Sequence, residues 1–132
     1  MTILSGASRW QPQALAILRI VTGLLFLGHG LVKLIGFPAG AEPGQQALGT
    51  LLGVGGVLET VGGALIILGL FTRPTAFVLS GMMAVAYWMF HAPSSPFPVV
   101  NGGDGAILFC FIFLYLVTAG PGAWSLDGAR KR

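Results

Sequence analysis

The side chains best suited to chemistry in this sequence are ionisable groups set inside apolar runs. His29 and Lys33 lie four residues apart in one such run, and Glu59 lies in the next. Tyr87, Trp88 and His91 close a third run, while Asn101 and Asp104 stand before a fourth. An ionisable group in an apolar span is costly unless it faces water, a partner or the interior of a helical assembly, so each is a functional candidate. Histidine can take or give a proton near neutral pH. The chemistry on offer is proton exchange and hydrogen bonding in an apolar setting.

The remaining sequence narrows that chemistry. Cys110 is the single cysteine and lies inside an apolar run, which excludes a dithiol mechanism within one chain. There is no nucleophile-elbow serine, no phosphate loop, and no His-x-x-x-His or Cys-rich spacing, so a metal site is not expected. His29 and His91 would have to bracket a haem from depths differing by more than one helical turn, and haem is not expected either. Quieter roles compete for the same residues. Lys33 and Glu59 can form an ion pair that only sets helix register. Asp104, following Asn101-Gly102-Gly103, is placed to cap helix amides. His91 suits the negative end of a helix. Arg19 has no acid at its depth and is expected to snorkel to the interface, toward Asp127.

Membrane-spanning helices must position these groups. Of 132 residues, 55% are hydrophobic and 8% are charged, where soluble domains carry about 25% charged residues. Four apolar segments, about 14–35, 51–71, 75–90 and 104–119, are punctuated by Gly36-Phe37-Pro38, by Arg73-Pro74, by the proline-rich stretch 92–98 and by Gly120-Pro121-Gly122. The last two are short against the roughly 17 to 25 residues of a span, so flanking residues or a locally thin bilayer must make up the difference. The expected fold is an all-α membrane protein: one domain over residues 1–132, a four-transmembrane-helix bundle. The first segment is too long for a signal peptide's apolar core and lacks a small-residue cleavage site, so it should be retained.

The formal net charge is +3, yet the seven basic residues make no patch: three end the chain as Arg130, Lys131 and Arg132. With Arg9 before the first helix and Arg73 between the second and third, this pattern describes membrane topology rather than nucleic-acid binding. Both termini should be cytoplasmic, with Trp10 and Trp124 as interfacial anchors there and Trp88 on the opposite side. The 21 glycines suit closely approaching helices. In helix 2, Gly55, Gly62 and Gly69 recur every seven residues as a small-residue seam, with Gly56 and Gly63 beside them. At about 1.5 Å rise per residue, His29 and Glu59 each fall roughly 9 Å below the outer ends of their helices. The expected site is therefore an outer-half polar cluster of His29, Lys33, Glu59, Tyr87, Trp88, His91 and Asp104.

Several of these elements together resemble the DoxX family of small bacterial membrane proteins. They are Leu18-Arg19-Ile20-Val21 through Gly28-His29-Gly30-Leu31-Val32-Lys33-Leu34, then Leu58-Glu59-Thr60-Val61-Gly62-Gly63 leading to Gly69-Leu70-Phe71-Thr72-Arg73, and the ending Gly120-Pro121-Gly122-Ala123-Trp124-Ser125-Leu126-Asp127. The resemblance covers essentially the whole chain. It implies a four-helix bundle in the bacterial cytoplasmic membrane and an association with quinol oxidase and thiosulfate–quinone oxidoreductase systems, without implying that every member is an enzyme.

The first functional expectation is a membrane subunit of a redox system whose outer-half cluster holds a quinone head group. A quinone needs hydrogen-bond donors, a proton donor or acceptor and an apolar or aromatic slot, which His29, Glu59, Lys33, Tyr87 and Trp88 can supply. No intrinsic cofactor or electron carrier is expected in the chain. A partner would carry haem, flavin, copper or iron–sulfur, or the quinone would be bound without being reduced. The alternative is a non-catalytic accessory or assembly protein, packed into a homo-oligomer or larger membrane complex. A small-solute permeation pathway ranks last, since one short chain offers little room for alternating access.

Overall fold

The computed structural model describes residues 3–131, and every regular element among them is helical. A 3₁₀ segment, Ile3–Trp10, leads into α1, Gln11–Ile35; α2 is Leu51–Leu68, α3 Thr72–Ala86, α4 Pro98–Asn101, α5 Asp104–Ala119 and α6 Leu126–Arg130. Among the described residues, three helical stretches are long and apolar enough to cross a membrane: Ile3–Ile35, Leu51–Leu68 and Thr72–Ser94. The fourth, α5, is apolar but has 16 residues, roughly 24 Å of rise.

The differences from the expected boundaries have local causes. Helix α2 stops at Leu68 because Gly69 adopts a left-handed φ of 65° and its amide turns back to Ile66 O and Leu65 O. Gly69 is thus the cap of the helix, not a member of a seam along it. Arg73-Pro74, expected as a break, lies in the first turn of α3, where a proline's missing N–H removes no helical bond. The α-helical part of the third span ends at Ala86, and the chain widens into a π-turn over Tyr87–His91 before the 3₁₀ turn Ala92–Ser94.

Phe26, Ile66, Leu79, Phe113 and Leu116 are buried, but they share the interior with polar and charged groups while the surface is largely apolar. Arg19 and Glu59 are buried, as are Thr22, Thr72, Ser80 and Asn101, while Ile17, Leu24, Leu25, Val54, Val61, Phe77 and Phe111 are exposed. An apolar surface around buried polar groups is the arrangement a bilayer stabilises, since lipid tails solvate the leucines and the protein must satisfy its own charges.

Contacts within the chain cluster into two compact units, one of residues up to 72 with those from 121 onward, the other of residues 73–120. In the first, α1 and α2 pack antiparallel through glycines. A Cβ on Gly23 would lie 3.0 Å from Gly63 O, and one on Gly30 would lie 2.9 Å from Gly56 O, so neither position has room for a side chain. The α1 face of α2 therefore runs through Gly56 and Gly63, which match Gly23 and Gly30 at the same spacing of seven. Close backbone approach of this kind is how helices gain packing in lipid, where no hydrophobic driving force separates one apolar face from another.

In the second unit α3 and α5 are also antiparallel. Arg73, at the start of α3, donates from Nη1 to the Val117 and Thr118 carbonyls at 2.7 and 2.6 Å, which satisfies the open end of α5. Midway, Ser80 Oγ donates to the Cys110 carbonyl at 2.8 Å. At the far end Tyr87 meets Asn101 and packs so close to Gly103 that a Cβ there would lie 2.5 Å from its ring.

Candidate functional site

Lys33 and Glu59 are brought together by the glycine seam. Gly56 lies one turn before Glu59, and a Cβ there would be 2.8 Å from Lys33 Cβ; without one, the lysine stem passes and its Nζ reaches both carboxylate oxygens, at 2.7 and 2.8 Å. Glu59 is 4% exposed. Both acceptor oxygens are occupied by one cation, and the pair is closed. His29 belongs to the same helix as Lys33 and is exposed.

Tyr87, Trp88 and His91 come together around Asn101. The π-turn, closed by the Ala92 amide on Tyr87 O, sets Tyr87 and His91 four residues apart with ring centres 6.4 Å apart and planes at 23°. Such widened turns occur often at functional sites. Trp88 meets the Tyr87 ring edge-on, centroid to centroid 5.3 Å.

The hydrogen bonds around Asn101 determine what its neighbours can still do. Its Oδ1 accepts from the Gly103 amide at 2.8 Å, so its NH₂ group is the one that donates, to Ser95 O at 2.9 Å and to the Tyr87 hydroxyl at 3.2 Å. Tyr87 oxygen therefore acts as acceptor, and its O–H hydrogen is uncommitted. His91 Nδ1 is 3.1 Å from the Asn101 carbonyl, which can only accept, so Nδ1 carries a hydrogen and the lone pair of the neutral tautomer falls on Nε2. A donor and an acceptor are thus left on two stacked rings.

Asp104 does not perform the expected capping. The cap residue of α5 is Gly103, without a side-chain cap bond, and Asp104 is exposed in the first turn. Asn101 satisfies the nearby Gly103 amide instead, because an Asx side chain two residues back reaches it directly. Asn101, adjacent to the expected set but outside it, is the centre of the cluster; its Asn-Gly-Gly context was the available signal.

Arg19 also departs from expectation. It is fully buried rather than snorkelling, since the segment after Gly120 folds over it. Its Nη1 donates to the Pro121 and Ala123 carbonyls and its Nη2 to Trp124 O at 2.8 Å. Asp127 instead accepts from the amides of Phe71 and Thr72, both at 2.9 Å. Burial pulls the Asp127 pKa upward, but the Thr72 and Phe71 amides and the field of Arg130 outweigh it and hold the carboxyl below its ordinary value. Ala123 N–H to Pro12 O and Asp127 N–H to Gly69 O complete a clamp on the ends of α1 and α2. Among the described residues no group of three or more His, Cys, Asp or Glu is placed to hold a metal ion.

Comparison with known proteins adds a family and relatives. The DoxX family model matches residues 14–92, more than half of the chain. The sequence is 44% identical over 128 residues to an uncharacterized protein of Haemophilus influenzae, covering 94% of this chain and 96% of that one. It is 31% identical over 120 residues to the inner membrane protein YqjF of Escherichia coli, covering 83% and 85% of the two chains. With the inner membrane protein YphA of the same organism it shares 32% over 134 residues, and 92% of each chain. No solved structure matches the sequence.

Proposed function

The chain belongs to the DoxX family and is a multi-pass protein of the bacterial inner membrane, and from that premise we propose that it is a membrane subunit of a quinone-linked redox system. The proposed head-group site is the pair Tyr87 and His91, steadied by Asn101. What carries the reading is the opposite hydrogen-bonding character left on the two rings. The Tyr87 O–H suits a quinone carbonyl, and His91 Nε2 suits the hydroxyl of the reduced form, whose proton it can hold while Nδ1–H stays anchored on the Asn101 carbonyl. Trp88 and Tyr87 supply aromatic surface for a planar ring.

In this reading Lys33 and Glu59 hold α1 to α2, Asp104 lies outside the site, and His29 is a separate candidate proton carrier on α1. Electrons would pass to a partner subunit carrying haem, flavin, copper or iron–sulfur, within a homo-oligomer or larger membrane complex. The reading includes α5 as a fourth span and both termini in the cytoplasm. Cysteines introduced at Gly44 and Ser95 should then react with an impermeant external thiol reagent, and one at Gly128 should not.

A second reading, a non-catalytic accessory or assembly protein, is favoured by the closed Lys33–Glu59 pair and the glycine-packed α1–α2 seam, which need no ligand. Lipid extraction and mass spectrometry of the full chain in mild detergent separate the two. Co-purifying quinone, reduced about tenfold by Tyr87→Phe or His91→Gln as expected for one lost hydrogen bond near 1.4 kcal/mol, supports the redox reading. No quinone and no partner redox centre would leave the accessory role.

A further inference from the structure

The arginines of the described chain divide by what their guanidinium groups do. Arg19 and Arg73 donate to backbone carbonyls. Arg9 and Arg130 lie instead over aromatic rings, Arg9 5.5 Å from the centre of Trp10 and Arg130 5.0 Å from that of Phe71. A guanidinium over a ring face is held in place while its N–H donors remain available to an anion.

The aromatic residues of this region are presented outward by the backbone itself. Phe71 and Trp124 are the two non-glycine residues with positive φ among those described, 50° and 53°, a conformation that bulky L side chains rarely adopt. Both are exposed, 51% and 64%. The clamp holds each of them: the Phe71 amide donates to Asp127, and Trp124 O accepts from Arg19. The Ala123–Pro12 bond brings the start of α1, and with it exposed Trp10, to the same segment.

The result is a collar of Trp10, Phe71 and Trp124 carrying Arg9 and Arg130, with Lys131 exposed beside it. Its one acid, Asp127, has both oxygens on the Phe71 and Thr72 amides, although its charge also acts on Arg130. Indole rings such as those of Trp10 and Trp124 settle at the headgroup level of a bilayer, which puts the neighbouring guanidinium groups at the depth of lipid phosphates.

We infer that this collar is a binding surface for anionic phospholipid headgroups in the leaflet it meets. The inference rests on the clamp end of α1 and α2 and is independent of the quinone reading. Native mass spectrometry of the full chain, released from detergent with equal amounts of chain-matched phosphatidylglycerol and phosphatidylcholine, tests it. At about fivefold per basic residue, the wild-type chain should retain the anionic lipid at least fivefold over the zwitterionic one. The double variant Arg9→Gln, Arg130→Gln should lose most of that preference, with helicity by circular dichroism unchanged because neither guanidinium donates to a described group. The double variant Arg9→Lys, Arg130→Lys, which keeps the charge, should retain most of it. A wild-type preference below twofold, an unaltered preference in the glutamine variant, or displacement of the lipid by excess inorganic phosphate would overturn the assignment.

Discussion

The α1–α2 pair and the α3–α5 pair are both antiparallel, and each brings polar side chains together, but they leave those side chains in different states. Between α1 and α2, one lysine occupies both oxygens of one carboxylate, and each charge has its complement. At one end of the α3–α5 pair, Asn101 of α4 is bonded on every side while Tyr87 and His91 of the π-turn each keep one unused hydrogen-bonding position. Charge is therefore a poor guide to open chemistry in an apolar medium. Full charges there must be paired, like Lys33 and Glu59, or hydrogen-bonded throughout, like Arg19, and either arrangement consumes their chemistry. Neutral groups such as a phenol and an imidazole can remain open at lower cost.

The largest test of this contrast is at Arg19. Arg19→Ala would leave the Pro121, Ala123 and Trp124 carbonyls without their donor and open a void in a fully buried position, so stability should fall by about 5 kcal/mol. Thermal unfolding in mild detergent checks it, and a loss under about 1 kcal/mol would mean that the clamp is not held by this residue.

The closed pair comes next. Lys33→Met or Glu59→Gln alone strands the opposite charge or dipole, so each should cost about 3 kcal/mol, and the double variant should be more stable than either. Additive losses in the cycle would show that the two do not act as a unit. Tyr87→Phe, measured by the same thermal unfolding, is by contrast expected to cost under about 1 kcal/mol: a phenol that only accepts from Asn101 is a minor part of the packing.

The smallest expected effect is a pH dependence at Asp127. Its folded pKa lies below the ordinary carboxylate value, so its contribution is present above about pH 4 and is lost as pH falls through the lower folded value. The melting-temperature gap between wild type and Asp127→Asn should therefore be widest near neutrality and should close in acid. A gap that widens on acidification would reverse the sign and remove Asp127 as a charged cap of the Phe71–Thr72 turn.

The amino-acid sequence by itself determined the apolar helical spans, because runs of leucine, valine and isoleucine broken by Gly-Pro punctuation state the membrane solution without reference to anything distant. It also pointed to the pairing partner of Lys33, since Glu59 is the one acid carried within the first two apolar runs. Tertiary structure decided the rest. Whether Gly55 and Gly62 or Gly56 and Gly63 face α1 depends on the rotation of one helix against the other, which a spacing of seven leaves open; the partner glycines Gly23 and Gly30 are visible only once that rotation is known. Whether Arg19 snorkels or is buried depends on where the last residues fold, because only a returning chain can supply three carbonyls at one guanidinium. The open state of Tyr87 and His91 depends on the direction of each hydrogen bond at Asn101, and direction is a property of assembled geometry, not of residue type.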